Sequence, residues 1–245
     1  MIKTTFSASR IGELLAGGQG KTANNYILDL AMQSIGIKDD ISTPAMKHGI
    51  ANQINAFEKV VKPLYEGAEW HDEYIKINDF CGASPDILNY GCPMDIKCPF
   101  TIDQYLEQIA QPPKKYYQQV QMQMMACKAD TGHLVYYLTK PEEWGEEDWK
   151  EYPFPLEVRF KIFEYKKDEE LHDEILKKVE ESEPKKQQLI SLLLDAEIMG
   201  VEEFFYKQIN GNAYRKLKEC SNVMNLTKCI RVKDNFYYEK KPSAS

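Results

Sequence analysis

The 245-residue sequence contains no run of about 18 apolar residues, so no segment reads as a membrane-spanning helix. Its first ten residues, MIKTTFSASR, lack the apolar stretch of a secretory signal, and a cytoplasmic location is the expectation. Positive charge is not in surplus: the formal net charge is -7, which argues against a chain that coats nucleic acid by bulk attraction. The six cysteines make neither a small disulfide scaffold nor a CxxC pair, and their spacings match no iron–sulfur motif, so they read as reduced structural residues. Internal repeats are absent. The segment GGQGKT looks like a phosphate-binding loop, but that pattern needs a glycine five residues before Gly20, where Leu15 stands, and no strand precedes it. It reads as a loop.

What the chain does have is a core. Hydrophobic residues make up 43% and aromatics 11%, enough for one large domain or one domain with an appendage. Acid is concentrated at Glu142, Glu143, Glu146, Glu147, Asp148 and Glu151, whereas Lys47, Lys59, Lys62, Lys114 and Lys115 lie in less acidic neighbourhoods. A local basic groove therefore stays open as an alternative to bulk attraction.

Periodicity orders the chain into helices, strands, helices, strands and helices. SASRIGELLAGG reads as a short helix capped by a serine and ended by Gly17-Gly18. Residues 24–35 and 44–62 read as helices. Residues 68–98 change character, with turn signals at Asn78-Asp79 and Asn89-Tyr90-Gly91, and read as two or three antiparallel strands. Thr101 caps a helix that Pro112-Pro113 stops, and KKYYQQVQMQMMACKA forms the next. HLVYYL and LEVRFKIFEY return to strand patterns, the latter alternating in Val158, Phe160 and Ile162. From Lys166 the chain is charged and helical, with a break or kink expected at Pro184. The order implies an α/β or α+β fold with a central mixed sheet flanked by helices.

One stretch, GASPDILNYGCPMDIKCPF at 82–100, gathers three ionisable groups. Residues two apart in a strand share a face, so Asp95 and Lys97 project together while Ile96 turns into the core. Asp86, read as ending the preceding strand, can be brought beside Asp95 across the turn. Two carboxylates that close raise each other's pKa unless a cation intervenes. A hard divalent ion such as Mg2+ suits them, and a lysine beside its water can orient a nucleophile or offset phosphate charge. On spacing alone, an exposed hairpin with an ordinary Asp-x-Lys pair is the more economical account of the stretch.

SPDILNYGCPMDIKCPF is the form of PD…(D/E)xK signature found in restriction-endonuclease-like nucleases. Together with SASRIG upstream, HGIANQINAFE, and the later KYYQQVQMQM (Tyr116, Gln119, Val120, Gln121), it resembles the lambda exonuclease/YqaJ-type viral recombinase family, in the family's order from about residue 7 to 185. The resemblance implies a nuclease domain over 1–185; residues 186–245 have no counterpart in it and are expected to form a C-terminal helical extension packed on the same domain. It implies Asp86 and Asp95 as ligands for Mg2+, or Mn2+, with the Ile96 carbonyl as a further ligand, Lys97 as catalytic lysine and Gln119 facing the centre. Tyr116 and Gln123 share Gln119's helix face, and Tyr117, Val120, Met124 and Cys127 make the opposite, core-facing stripe. Ser9, with Arg10, Ser84, Tyr116 and Lys114, is placed toward DNA; a simple helix cap is the other reading of Ser9.

The chain departs from that pattern in three places. Asp95 stands where the family commonly has Glu. Gln53 stands where the family's G-x-x-x-E helix carries an acid that assists metal binding, so Gln53 is at best a weak ligand, and Glu58 falls on another part of the helix. The arginine that the family places before the serine has no counterpart here, leaving Arg10 or Lys21 as substitutes. The implied function is a metal-dependent exonuclease acting on ends of double-stranded DNA, 5′ to 3′, as a homo-oligomeric (trimeric) ring working with a single-strand annealing protein. The alternatives are a Cas4- or RecB-like nuclease of other polarity, and a catalytically weak nuclease-fold DNA-binding module.

Overall fold

The computed structural model describes residues 4–16, 21–36, 43–140 and 152–199, with two short strands at 208–209 and 212–213. The acidic cluster at 142–151, the stop at Gly17-Gly18, most of the GGQGKT segment, the basic tail, Cys220 and Cys229 lie outside these residues. The four described cysteines, Cys81, Cys92, Cys98 and Cys127, are free thiols.

β1 (Phe6–Ser7) leads through a 3-10 turn at Ala8–Arg10 into α1 (Ile11–Leu14). After α2 (Lys21–Ser34), α3 (Pro44–Ala56) runs through a π-helical turn at Phe57–Val61 into α4 (Lys62–Leu64). Five short strands follow: β2 (Ala68–Trp70), β3 (Ile75–Lys76), β4 (Cys81–Ala83), β5 (Ile87–Asn89) and β6 (Cys92–Lys97). Then come α5 (Ile102–Ala110), α6 (Lys114–Cys127), β7 (Thr131–Tyr137), β8 (Phe160–Lys166) and the long α7 (Glu169–Met199), before β9 (Gln208–Ile209) pairs with β10 (Asn212–Ala213).

By its contacts the chain divides into two compact units. The larger, Thr5–Ala23 with Ile41–Glu180, contains both multi-stranded sheets. The main sheet has the order β2-β5-β6-β7-β8; β6 and β7 run parallel and its other neighbours antiparallel. The small sheet has the order β1-β4-β3. This is the mixed α/β architecture that the element order implied. A parallel pair needs a crossover, which α5 and α6 supply between β6 and β7.

Local chemistry explains the boundaries. The Thr43 hydroxyl accepts from the Met46 N–H (3.2 Å), with Pro44 in the first turn of α3. The Thr101 hydroxyl does the same for Gln104 (3.2 Å) at α5. Tyr90 (φ 49°) and Gly91 (φ 85°) are both left-handed, as a two-residue turn between β5 and β6 demands.

Both faces of the main sheet are covered, so apolar residues line both sides of its central strands. Met94, Ile96, Val135 and Tyr137 pack with Ala56, Phe57, Val60 and Val61. Leu134 and Tyr136 pack with Tyr105, Val120 and Met124 on the other face. Asp95 and Lys97, alternating along β6 with Met94 and Ile96, project on this second face, toward α6.

Several expectations need correction. The region 68–98 holds five short strands in two sheets: the turn at Asn78, whose carboxamide oxygen accepts from the N–H groups of Phe80 and Cys81, joins β3 to β4 within the small sheet, while β2, β5 and β6 belong to the main one. Val158 is not in a strand; it closes a 3-10 turn at Leu156–Val158 and is exposed, because the turn after Pro155 takes it out of the alternation. The first helix opens as a 3-10 turn in which no serine side chain caps the start; the Ser7 hydroxyl meets that of Ser9 instead (3.2 Å). α7 does not break at Pro184.

The smaller unit, Met1–Thr4 with Asn24–Asp40 and Glu181–Ser245, contains most of α2 and the second half of α7. Thr4 ties these together: its hydroxyl bonds the Leu30 carbonyl (3.1 Å) and Ser34 (2.6 Å), and its own carbonyl accepts from the buried Lys186 ammonium (2.8 Å). Lys186 also pairs with Glu183 (2.8 Å), and these contacts on either side of Pro184 hold the helix through it.

Candidate active site

Asp86 sits in a bend one residue before β5 instead of ending a strand. The register that pairs Ile87 with Met94 sets Asp86, one step on, opposite Asp95. β5 has no residue left to complete the ladder there, and the Asp86 carboxylate replaces it: Oδ2 accepts from the Ile96 N–H at 2.7 Å. A strand residue turns its N–H and C=O to the same side, so the Ile96 carbonyl is presented at this same edge. The other Asp86 oxygen, Oδ1, accepts from the Gln53 side-chain nitrogen at 3.3 Å.

Asp95 is 1% exposed. Its Oδ1 accepts from two glutamines one turn apart on α6, Gln119 (2.5 Å) and Gln123 (2.9 Å). Its Oδ2 lies 2.7 Å from the Lys97 ammonium, which is itself 20% exposed and 4.9 Å from the centre of the Tyr116 ring. The Lys115 ammonium stands at the same distance from that ring, so Tyr116 is shared by two cations.

These contacts leave the pair of acids under-compensated. Burial pushes the Asp86 carboxyl up, the Asp95 charge pushes it further, and Lys97 with the Ile96 N–H only partly offset this; the result is about 7. Burial works to lower the pKa of Lys97, but Asp95 and Asp86 outweigh it, so Lys97 is held as an ammonium. The donor set fits a hard divalent cation: two carboxylates with too little counter-charge and a backbone carbonyl at the same edge, all oxygen. Among the described residues no group of three or more His, Cys, Asp or Glu converges. The third position belongs to Gln53, whose nitrogen faces Asp86. Glu58 does not replace it, since it is exposed and paired with Lys62 at 2.9 Å.

The residues singled out in the sequence are therefore not equivalent. Asp86, Asp95, Ile96, Lys97, Gln53, Gln119 and Tyr116 converge through the contacts above. Lys114 is exposed at the start of α6, and Ser84 is exposed two residues before Asp86. Ser9 is exposed in the 3-10 turn, which packs against α6. Arg10 is engaged in-chain, its guanidinium forked onto Glu13 at 2.6 and 2.7 Å. Two residues were given no role from sequence. Gln123 carries a signal, its four-residue spacing from Gln119, whereas the placement of Lys115 over Tyr116 has none. The face expected of Gln119 is present, but the opposite stripe is only part of what α6 buries: Gln118 to Met124 are all buried, and Gln121 bonds the Lys166 carbonyl, the Asp168 N–H and His172.

Residues 2–133, a span that includes all of these site side chains, match the YqaJ-like viral recombinase domain. The chain belongs to this family. Solved structures share the fold of this YqaJ-like chain. A phage-related exonuclease from Haemophilus somnus 129PT superposes with a TM-score of 0.66 at 18% identity, over 78% of this chain and 96% of that one. An alkaline exonuclease from Laribacter hongkongensis gives 0.63 at 21% identity, over 80% and 94%. The same enzyme in complex with dAMP gives 0.64 at 21% identity, over 80% and 95%. No curated protein matches the sequence.

Proposed function

We propose that this YqaJ-like chain is a metal-dependent deoxyribonuclease that degrades linear double-stranded DNA from an end, 5′ to 3′, leaving 3′ single-stranded tails for homologous recombination of the phage type. The observation that carries the reading is the convergence of Asp86, Asp95 and Lys97 beside β6, where one lysine only partly compensates two neighbouring carboxylates. Family membership supports the recombination setting.

Asp86, Asp95 and the Ile96 carbonyl would hold the ion, Mg2+ with Mn2+ as a substitute. A bound ion would supply a more acidic water and offset charge on the phosphate. The chain's own groups do the rest. The Lys97 ammonium, positioned by Asp95 and the Tyr116 ring, donates to the phosphate oxygens where negative charge develops. Gln119 and Gln123 hold the Asp95 carboxylate in one orientation. Exposed Lys114, Lys115, Ser9 and Ser84 bind the duplex backbone. The chain acts in the cytoplasm as a ring of identical subunits, handing its product to a single-strand annealing protein; enclosure of the duplex offsets the net charge of -7. None of the described helices is long and apolar enough to cross a membrane. Residues 186–245 serve as an extension of the nuclease domain.

A catalytically weak DNA-binding module is the second reading, favoured by Gln53, which meets Asp86 with an amide nitrogen where a further acid would bring charge. Digestion of linear duplex in Mg2+ separates the two. The parent is expected to degrade 5′-phosphorylated ends and to spare covalently closed circles. Lys97→Ala is expected to lose about two to three orders of magnitude in rate. Equal rates for Lys97→Ala and parent would remove Lys97 from the chemistry, and no digestion by the parent would favour the binding module.

A further inference from the structure

Gln123 is wholly buried in the middle of α6, and its two ends are treated differently. The nitrogen donates to Asp95 Oδ1 at 2.9 Å, while the side-chain oxygen, also buried, meets no hydrogen-bond donor among the described residues. The orientation of the amide follows from this contact, since turning it over would set its oxygen against a carboxylate oxygen. Burying half an amide without a partner is costly, and an apolar residue of like size would fill the space at less cost. Gln121, two positions away, shows the contrast: its oxygen accepts from both the Asp168 N–H and His172. An unpartnered acceptor beside Asp95 therefore calls for a donor that arrives with the site's working state. A divalent ion held by oxygen ligands retains several waters, and those waters are hydrogen-bond donors.

We infer that Gln123 is a positioning residue of the metal centre: its nitrogen fixes the Asp95 carboxylate together with Gln119, and its oxygen accepts from a water carried by the bound ion. The inference rests on Asp95 being a metal ligand. It assigns Gln123 to ion affinity and not to contact with DNA. Gln119 and Gln123 thus divide the work. Both hold Oδ1, but Gln123 is the one left with a buried, unused acceptor.

The test uses the full chain without DNA, titrated calorimetrically with Mn2+ and melted separately in EDTA. Gln123→Met keeps the length and removes both polar ends. It is expected to weaken Mn2+ binding by about 10- to 100-fold, the usual effect of losing an outer partner of a metal ligand. Its midpoint in EDTA is expected to stay close to the parent's, because removal of the unpartnered oxygen offsets the lost bond to Asp95, whose Oδ1 keeps Gln119. Unchanged Mn2+ affinity, or weakening that only tracks a lower midpoint in EDTA, would overturn the assignment. Should Gln123→Met not fold, Gln123→Glu decides. It keeps an acceptor and adds a third carboxylate, so Mn2+ should raise its melting temperature by more than it raises the parent's; an equal rise overturns the idea. Asp95→Asn separates this inference from the reading beneath it. If Asp95→Asn binds Mn2+ like the parent, the site itself is misassigned. If it loses binding while Gln123→Met keeps it, the role of Gln123 alone falls.

Discussion

Asp86 does two jobs with one carboxylate, completing the hydrogen bonding of β6 through the Ile96 N–H and standing opposite Asp95. Its pKa, raised from 3.8 to about 7 by burial and by Asp95, makes the metal-free protein sensitive to pH. A carboxyl with a raised folded-state pKa holds its proton more tightly when folded, so its contribution to stability is full below about 4 and is lost as pH rises through about 7. Asn at this position cannot ionise. In EDTA, the melting temperature of Asp86→Asn minus that of the parent is expected to widen between about pH 5 and pH 8. A gap that stays flat over that range would mean Asp86 is not strained in the metal-free fold. Gln53 offers a second test at the same scale. Gln53→Glu supplies the missing acid and is expected to lower the Mg2+ concentration needed for half-maximal digestion. Identical metal dependence would show that the carboxylate count at this edge does not limit ion binding.

At the scale of elements, α6 organises the site because it is buried nearly all round. Val120 and Met124 fill the core beneath Leu134 and Tyr136, while Gln119 and Gln123 reach Asp95. α6 and β7 approach closely only because residue 132 has no side chain: a Cβ there would lie 2.8 Å from both Val120 Cγ1 and Met124 Cγ. Gly132→Ala is therefore expected to cost about 1–3 kcal/mol in urea unfolding, as overpacking does. A loss near zero would mean α6 can slide on the sheet. Much of this layer was legible in sequence, since Thr101, Pro112-Pro113 and Asn89-Tyr90-Gly91 act through local chemistry. Asp95 and Lys97 were legible by strand period. What stayed hidden depends on partners far along the chain. Nothing near Gln123 shows that Asp95 lies above it, and nothing near Val158 shows that the turn after Pro155 takes it out of the strand. The effect of Pro184 was hidden too, since Lys186 reaches back to Thr4.

For the whole molecule, a net charge of -7 and an active centre built for a polyanion pull in opposite directions. Enclosure by the proposed ring would resolve this, so sedimentation of the full chain is expected to give a trimer-sized species that persists as salt is raised. A monomer that binds ends with a steep salt dependence would replace enclosure by direct phosphate contacts through lysines such as Lys114 and Lys115. The burial of α6 also bears on the safety of the cell that makes the protein. The same helix closes the core and steadies the carboxylate of Asp95, so a chain still being synthesised, or one unravelling under heat, lacks a formed cutting centre. On the proposed reading, DNA of the producing cell would meet a working centre only in the finished fold, and loss of the fold alone would disarm it.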